Sequence, residues 1–380
     1  MLSPQEFVDC LKENGVELFT GVPDSLLKEL CSCMAHTSRP GEHIIAANEG
    51  GAVALAIGYH LATRKIPLVY LQNSGLGNVV NPLLSLVDED VYSVPMLLVI
   101  GWRGEPGVHD EPQHKKQGRV MVPMLEAMEI PYSVLGTDVD CAEPIVKDAV
   151  SHVRKTGGPF ALVIKKGVFA AYAAPSLQQT DFPLSREEAI QQVIDVLEER
   201  DVVVSTTGMP SREVYEYRTK RGVGHQRDFL TVGGMGHASQ IALGIALQKP
   251  ERSVYCLDGD GALLMHMGGV ALVGTMKPSN YTHIILNNGA HDSVGGQPTV
   301  ALDIDVLGIA RAAGYARVAR ARTESELRSC LQEIKESPGP SLLEIQVRCG
   351  ARKDLGRPGT TPIQNKNAFM DFLDSAKSLS

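Results

Sequence analysis

The 380-residue chain carries a formal net charge of −8 at pH 7, which argues against a nucleic acid or an acidic membrane surface as its partner. Aromatic residues make up only 5% of the chain within an ordinary hydrophobic content of 43%, so small aliphatic residues must build the core, as they do in layered α/β domains. Seven cysteines form no disulfide framework in a chain of this length, and no apolar run approaches the roughly 20 residues that span a bilayer, so we expect a cytoplasmic protein without membrane contact.

In the first half of the chain, short apolar runs alternate with helical patterns. The strand candidates are residues 16–19, 44–47, 67–71, 96–100 and 161–164, and helical patterns cover residues 50–63 and 140–154. Two parallel strands cannot be joined by a tight turn and need a crossover, usually a helix. The alternation therefore predicts a mainly parallel sheet flanked by helices.

A stretch rich in Ala, Gln, Thr and Pro then breaks the alternation, and we interpret residues 167–184 as a linker. A second alternation follows, with strand candidates at 202–205, 254–257, 282–286 and 342–347 and helical patterns at 185–199, 241–247, 263–276 and 323–336. We therefore predict one α/β domain over residues 1–166 and another over residues 185–350. A C-terminal loop and helix, the helix at 366–379, would complete residues 351–380.

Two polar motifs follow neighbouring strand candidates of the second domain. Gly259-Asp260-Gly261 ends one apolar run, and Asn287-Asn288 ends the next, about 25 residues later. Magnesium binds about six hard oxygen ligands and leaves part of its shell for phosphate oxygens. The glycines let backbone approach a diphosphate, and a helix predicted from Ala262 would direct its first amides at the same anion. The two motifs therefore predict a site for Mg²⁺ and a diphosphate.

With this spacing and context the chain resembles the thiamine diphosphate-dependent enzymes, whose signature is a GDG, a gap of about this length and an NN pair. The resemblance implies two domains of similar α/β fold, PYR and then PP. PYR, here residues 1–166, would hold the aminopyrimidine of thiamine diphosphate, and PP, here residues 185–350, its diphosphate and Mg²⁺. In the family the two pockets face each other across a subunit interface, so the resemblance also implies a homo-oligomer with active sites at subunit interfaces.

The resemblance also assigns residues to the cofactor. The side chains of Asp260 and Asn288 and the carbonyl of Ala290 would bind Mg²⁺, whereas Asn287 would brace the loop. Glu49 matches the family glutamate that shares a proton with the pyrimidine N1′ and should lie in a dry pocket. Taken alone, a glutamate at a helix N-terminus is usually only a favourable partner of the helix dipole.

The segment from Thr231 to His237 resembles the family segment that binds the pyrimidine. Gly233, through its carbonyl, and Met235, through its amide, would bind the polar edge of the ring, and the Met235 side chain would support the bent cofactor. Taken alone, the segment could also be a degenerate dinucleotide loop. A nicotinamide fingerprint, however, needs GxGxxG directly after the first strand and an acidic residue about twenty positions later, and this segment does not satisfy both conditions.

Further loops are similar to those of the phosphonopyruvate decarboxylases within this family. They are GVPDS at 21–25, NSGLGN at 73–78, GWRGEPG at 101–107, DEPQH at 110–114 and RPGTTP at 357–362. The resemblance covers nearly the whole chain and implies non-oxidative decarboxylation of 3-phosphonopyruvate to phosphonoacetaldehyde and carbon dioxide. Sulfopyruvate decarboxylation, another decarboxylase or carboligase activity, and a non-catalytic α/β binding module stay as alternatives, although a binding module would be expected to lose Glu49 or Asp260.

A doubly anionic 2-oxo acid needs fixed cations and donors. Arg103 in a glycine-rich loop and Arg357 in the tail have guanidinium groups that suit phosphonate oxygens, and we expect Ser25 and His291 to contact the substrate as well. Each of these cations could equally be a solvated surface charge.

Two further residues match positions where related decarboxylases keep groups for proton transfer. Asp24 supplies the acid and His114 the imidazole, whose ordinary pKa near neutrality suits this role, although a loop histidine is more often merely exposed. Many related decarboxylases have a glutamate six residues after the ligand asparagine, where this chain has Val294, so its proton relay is expected to differ.

Overall fold

The computed structural model describes residues 1–138, 141–173 and 180–375. Parts of the predicted helix at 140–154, the predicted linker at 167–184 and the predicted C-terminal helix at 366–379 therefore lie outside the described residues. The chain divides into two units, residues 1–177 with 294–297 and residues 178–293 with 298–380. The domain boundaries at 166 and 185 stay predictions.

The first unit is built on a six-stranded parallel sheet with the strand order β2-β1-β3-β4-β6-β5. Its strands are β1 (Val16–Gly21), β2 (His43–Ile45), β3 (Ile66–Gln72), β4 (Met96–Gly101), β5 (Tyr132–Leu135) and β6 (Pro159–Ile164). Its helices are α1 (Pro4–Glu13), α2 (Lys28–Thr37), α3 (Glu49–Thr63), α4 (Leu76–Pro82), α5 (Pro112–Ala127) and α6 (Glu143–Thr156). Every residue of β4 is buried, because helices cover both faces of a parallel sheet and two hydrophobic clusters lie on its two sides.

The second unit repeats this plan with the strand order β13-β14-β10-β9-β7-β8, again all parallel. The strands are β7 (Val202–Ser205), β8 (Asp228–Leu230), β9 (Val254–Gly259), β10 (Tyr281–Asn287), β13 (Arg317–Ala321) and β14 (Ser341–Gln346), and two short strands outside this sheet are β11 (Ala290–His291) and β12 (Gln297–Pro298). The helices are α7 (Arg186–Val196), α8 (Met209–Lys220), α9 (Ala238–Gln248), α10 (Asp260–Met265), α11 (Gly268–Met276), α12 (Val306–Ala313), α13 (Glu324–Lys335) and α14 (Pro362–Ser375). The predicted fold class, two α/β domains with mainly parallel sheets flanked by helices, is confirmed.

Local capping explains where several helices begin. Asn48 caps α3, since its Oδ1 accepts a hydrogen bond from the Gly51 amide at 2.8 Å. Ser185 and Glu188 form a capping box at the start of α7, as Thr323 and Glu326 do at the start of α13. The cap at Asn48 is significant for function because it makes Glu49 the first helical residue after β2.

The C-terminal helix α14 closes one edge of the second sheet. Asn365 is buried, its Nδ2 donates to the Asp228 carbonyl at 2.8 Å, and its Oδ1 accepts from the Leu230 amide at 3.0 Å. Phe369 is also buried, and its ring centroid lies 5.7 Å from that of Phe229. Strand β8 therefore has a side-chain amide on its outer edge in place of another strand, and it leads directly into residues 231–237.

Within the parts of the chain that the structure describes, the helices are too short or too polar for any of them to cross a bilayer.

Candidate active site

The carboxyl ends of parallel strands meet at one edge of a sheet, and in the first unit this edge carries Glu49. The side chain follows β2, is 5% exposed, and its Oε2 accepts a hydrogen bond from Asn78 Nδ2 at 2.8 Å. A Cβ atom at Gly75 would overlap the other oxygen, Oε1. The carboxyl is therefore fixed in a narrow pocket that needs a glycine at position 75.

Asp24 follows β1 at the same edge and is fully buried. Its Oδ1 accepts from Gln72 Nε2 at 2.5 Å, and its Oδ2 accepts from the Leu26 amide at 2.9 Å. A Cβ atom at Gly101 would overlap Oδ2, so the end of β4 packs directly on the carboxyl. Burial raises the pKa of Asp24, and the hydrogen bonds from Gln72 and Leu26 only partly oppose this effect. Asp24 is therefore a group that can hold a proton in a dry environment.

Arg103 follows β4 and forms a bidentate ion pair with Asp110. Its Nε donates to Asp110 Oδ2 at 2.8 Å, its Nη2 donates to Oδ1 at 2.5 Å, and its Nη1 donates to Ser25 Oγ at 2.7 Å. Burial acts to raise the pKa of Asp110, but the hydrogen bonds from Arg103 and from the amides of Glu111 and Gly104 outweigh it and hold this pKa well below its usual range. Arg103 is thus a fixed, partly buried cation next to Ser25 and not a solvated surface charge.

His114 lies in the first turn of α5, close to this ion pair. Burial and the positive charge of Arg103 lower the pKa of the imidazole, so the ring is neutral at pH 7. Its Nδ1 is buried and has no hydrogen-bond partner among the described residues. Nδ1 is thus a ring position that the described residues leave without a hydrogen bond, although burial opposes its protonation.

A polar cavity of about 210 Å³ lies beside Arg103 in the first unit. Ser25, Arg103 and Asp110 line it, together with His109 and with Lys166, which was not predicted as a site residue. Two carboxylates also line the cavity: Asp110 pairs with Arg103, and Glu105 pairs with Lys165 at 2.6 Å, so Lys166 is the wall cation that neither carboxylate offsets. The cavity suits an anionic group of small size.

In the second unit, Asp260 follows β9 and Asn287-Asn288 follow β10. The two strands are neighbours, and Gly259 is in register with Leu286, so the two motifs leave the sheet at the same level. Asp260 is 3% exposed, and its Oδ2 accepts a hydrogen bond from Thr299 Oγ1. Burial raises the pKa of Asp260 to about 6, and the hydrogen bond from Thr299 opposes the rise.

The two asparagines differ in their contacts. Asn287 Nδ2 donates to Glu344 Oε1 at 2.7 Å inside the sheet, so Asn287 braces the loop as predicted. Asn288 Oδ1 accepts from the Ala290 amide at 3.0 Å, and its Nδ2 donates to Asp292 Oδ2 at 2.8 Å. The carboxylate of Asp260, the amide oxygen of Asn288 and the backbone carbonyl of Ala290 are hard oxygen donors, so this set fits a divalent cation such as Mg²⁺. A bound cation would also stabilise the ionised form of a buried carboxyl such as Asp260.

Backbone space next to Asp260 is limited by His291. A Cβ atom at Gly261 would lie 2.8 Å from His291 Cε1, so only glycine leaves this contact unstrained. Burial lowers the pKa of His291 to about 4, and the ring is neutral at pH 7. His291 therefore lies directly against the Gly259-Asp260-Gly261 backbone as a neutral hydrogen-bonding group.

The predicted pyrimidine-binding segment continues from β8. Gly234 and Gly236 have φ values of +68° and +83°, a conformation that favours glycine, and His237 Nδ1 lies 3.0 Å from the Gly234 carbonyl. Gly233 and the Met235 side chain are only partly buried. The segment thus has its backbone fixed by glycines and a histidine while Met235 stays accessible.

The tail cations differ from one another in their contacts. Arg352 is held by Glu187, at 2.8 Å from its Nε, and by Glu216, and so anchors the segment after β14. Arg357 lies exposed further along this segment. The structure therefore gathers Glu49, Asp24, Ser25, Arg103 and His114 in the first unit and the predicted metal and diphosphate residues with His291 in the second.

Several contacts could not be foreseen from sequence. Asn78 lies in the quoted loop motif, but nothing in the motif connects it to Glu49. Thr299 and Asp292 carry no periodic or spacing signal at all. Their roles depend on hydrogen bonds that exist only in the folded chain.

Comparisons with known proteins show the family of the chain. The family model described as thiamine pyrophosphate enzyme, N-terminal TPP binding domain, matches residues 4–124, and the one described as the C-terminal TPP binding domain matches residues 206–345. The chain is 32% identical to phosphonopyruvate decarboxylase of Streptomyces viridochromogenes, over 98% of this chain and 95% of the relative. It is also 32% identical to phosphonopyruvate decarboxylase of Streptomyces hygroscopicus, over 98% and 94%. Sulfopyruvate decarboxylase of Methanosarcina acetivorans is 25% identical over 99% of both chains.

The raised pKa of Asp260 predicts how the stability of the metal-free protein depends on pH. The folded chain binds this proton with a pKa of about 6 against an ordinary value of 3.8, so the resulting stability is full below about pH 4 and is lost as the pH rises through about 6. Asp260→Asn cannot ionise and is expected to gain about 3 kcal/mol over the parent protein between pH 4 and pH 8. Urea denaturation with a chelator present measures this gain.

Asp371→Asn, an exposed substitution on α14, is the matched control and should give the same difference from the parent at both pH values. If Asp260→Asn also gave equal differences at pH 4 and pH 8, the pKa of Asp260 would not be raised.

Proposed function

Since the chain belongs to the thiamine pyrophosphate enzymes, and among them to the family that contains the phosphonopyruvate decarboxylases, we propose that it decarboxylates 3-phosphonopyruvate to phosphonoacetaldehyde and carbon dioxide. The observation that carries the proposal is the similarity over 98% of the chain, in a protein that keeps Glu49, Asp260 and Asn288 at its strand ends. A non-catalytic module would have no need, in each of the two units, for a buried carboxyl that has no arginine or lysine partner among the described residues.

Thiamine diphosphate is the cofactor, and we place its diphosphate at Gly259 and Gly261 with Mg²⁺ held by Asp260, Asn288 and the Ala290 carbonyl. Gly233 and Met235 would contact its pyrimidine. When bound, the cofactor supplies the carbon nucleophile and the electron sink that decarboxylation of a 2-oxo acid needs. The protein positions the reactants and excludes water.

Glu49 is proposed as the residue that holds a proton for the pyrimidine nitrogen. Asn78 binds Oε2, and Gly75 leaves just enough room for Oε1, so the carboxyl has one fixed orientation. A buried carboxyl of this kind is costly for folding, which favours a catalytic explanation for it.

Loss of carbon dioxide leaves a carbon that must gain a proton. Asp24 and His114 are proposed to hold and transfer it, because burial raises the pKa of Asp24 and leaves the His114 ring neutral, with no hydrogen-bond partner for Nδ1 among the described residues. A carboxyl with a raised pKa keeps its proton to a higher pH than an ordinary aspartate, so it can donate that proton over a wider pH range.

The anionic groups of the substrate are proposed to lie near Ser25 and Arg103, with further contacts from His291 and Arg357. Asp110 fixes the Arg103 guanidinium but also offsets its charge, so Lys166 and His109 in the adjoining cavity would supply additional attraction. Sulfopyruvate is the second candidate substrate, because its sulfonate is also a tetrahedral anion and a sulfopyruvate decarboxylase matches the whole chain at 25% identity.

A steady-state assay with thiamine diphosphate and Mg²⁺ tests the substrate. We expect carbon dioxide release and phosphonoacetaldehyde from phosphonopyruvate at a higher kcat/KM than turnover of sulfopyruvate or pyruvate. Glu49→Gln should lower kcat by about 10²- to 10⁴-fold, the usual contribution of a proton-transfer group. Preference for sulfopyruvate would overturn the substrate assignment alone, whereas no turnover of any 2-oxo acid would overturn the proposed activity.

Gly75→Ala tests the narrow pocket of Glu49 without removing the carboxyl. Its Cβ would overlap Oε1 and lie 2.7 Å from Cγ, so Glu49 must move, and we expect kcat/KM to fall about tenfold or more, which corresponds to about 1.4 kcal/mol. Gly77→Ala is the matched control, because a Cβ there has no atom within 4 Å, and its kcat/KM should stay within about twofold of the parent. Equal kinetics for the two variants would contradict the fixed orientation of Glu49.

We also propose that the protein is a homo-oligomer. Exposed apolar residues lie on α3 (Leu55, 40%; Leu61, 72%) and on α11 (Leu272, 50%; Met276, 47%), and exposed apolar patches of this kind mark interaction surfaces. Light scattering should give at least twice the mass of one chain, and Leu61→Glu should shift the population towards monomer. Ile363→Glu, which replaces a similarly exposed residue (69%) on α14, should not. A monomeric parent protein would refute this part of the proposal.

A further inference from the structure

One carboxylate oxygen next to the proposed metal site receives three donors from three separate segments of the second unit. Asp292 Oδ2 accepts from Asn288 Nδ2 at 2.8 Å, from the Gly350 amide at 2.9 Å and from Arg186 Nη1 at 3.1 Å. These donors lie after β10, after β14 and at the start of α7. Asp292 therefore joins the loop that carries Asn288 to two other parts of the unit.

Arg186 is itself held rigidly. Its side chain is only 7% exposed, its Nε donates to Glu213 Oε2 at 2.9 Å, and its Nη2 donates to Oε1 at 3.0 Å. A bidentate guanidinium–carboxylate pair of this type has strict geometry. The position of the remaining nitrogen, Nη1, and with it that of Asp292, is therefore determined by a buried ion pair.

Asp292 in turn determines which end of the Asn288 amide faces the metal site. The Nδ2 group donates to Asp292, and Oδ1 lies on the opposite branch, where it accepts from the Ala290 amide at 3.0 Å. A carbonyl oxygen has two lone pairs, so Oδ1 can accept this hydrogen bond and still bind a cation, whereas an NH₂ group has only donors and cannot. Without Asp292, the single hydrogen bond from the Ala290 amide would be left to oppose a rotation that presents Nδ2 to the cation.

We propose that Asp292, held by the buried Arg186–Glu213 pair, is a positioning residue that orients Asn288 so that its oxygen binds Mg²⁺. The inference rests on the proposed function, because it takes Asn288 as a metal ligand. Groups that orient a ligand in this way commonly change metal affinity by about 10- to 100-fold when they are removed. A role in folding alone would change stability but not affinity for the metal.

A Mg²⁺ titration of the complex with thiamine diphosphate, followed by thermal unfolding without substrate, separates these roles. Asp292→Ala is expected to raise the Mg²⁺ concentration at the midpoint of stabilisation about 10- to 100-fold. In assays, the Mg²⁺ midpoint should rise by a larger factor than that by which kcat at saturating Mg²⁺ falls. Asp305→Ala is the control. Asp305 caps α12, since its carboxylate accepts a hydrogen bond from the Gly308 amide at 3.0 Å. Its loss should lower the stability of the protein without moving the Mg²⁺ midpoint.

The double variant Asn288→Asp with Asp292→Asn reverses the hydrogen bond between the two side chains, so that the amide at position 292 donates to the carboxylate at position 288. A carboxylate at position 288 can bind the cation through either oxygen, so this variant should recover most of the Mg²⁺ affinity lost in Asp292→Ala. An unchanged midpoint in Asp292→Ala would overturn the positioning role. Asp260→Asn in the same titration tests the metal site itself: if it bound Mg²⁺ like the parent, the site assignment would fail, whereas weaker binding there with no change in Asp292→Ala would overturn only the role of Asp292.

Discussion

Parallel strand pairing is the constraint on which the candidate site depends. In each unit six strands run in one direction, so every strand ends at the same edge, and the chain must leave that edge through a loop. Polar residues placed directly after different strands are thereby brought together although they are far apart in sequence. Glu49, Asp24 and Arg103 follow three strands of the first sheet, and Asp260 and Asn288 follow two neighbouring strands of the second.

This arrangement places carboxyl groups in buried or partly buried positions near the sheet ends. Each of them has different hydrogen-bond partners and a different shift of its pKa. Asp24 receives two hydrogen bonds and keeps a raised pKa, whereas Asp110 has its pKa lowered by a bidentate arginine. Among the residues that the structure describes, Asp260 has only Thr299 as a side-chain donor, and its pKa is raised to about 6. Asp110 is thus stabilised as a carboxylate by its arginine and has a structural role. Asp24 and Asp260 can still take up a proton or a cation, and these two are the residues proposed to act in proton transfer and metal binding.

The central parts of both sheets could be predicted from sequence because strands buried on both faces have uninterrupted apolar runs. Strands β5, β8 and β13 were missed, since they lie at sheet edges, are only 4, 3 and 5 residues long and have mixed composition. Helix α10 begins at Asp260, two residues before its predicted start at Ala262. Asp260 and Asn288 could be proposed as metal ligands from sequence because their motifs have a defined spacing. The partners of Asn288 and Glu49 were not, because Asp292, Arg186 and Asn78 meet them through the tertiary fold, and hydrogen bonds across separate segments leave no local pattern.

The amide of Asn365 on α14 has a consequence for how molecules of this protein meet one another. An edge strand normally presents unpaired N–H and C=O groups that can pair with a strand from another molecule, which is a common route to aggregation. On the outer edge of β8, the Asp228 carbonyl and the Leu230 amide are both occupied by this one side chain, which imitates a peptide group. The helix thus seals this end of the second sheet against extension by a second chain, so copies of the protein cannot associate by adding a strand to β8.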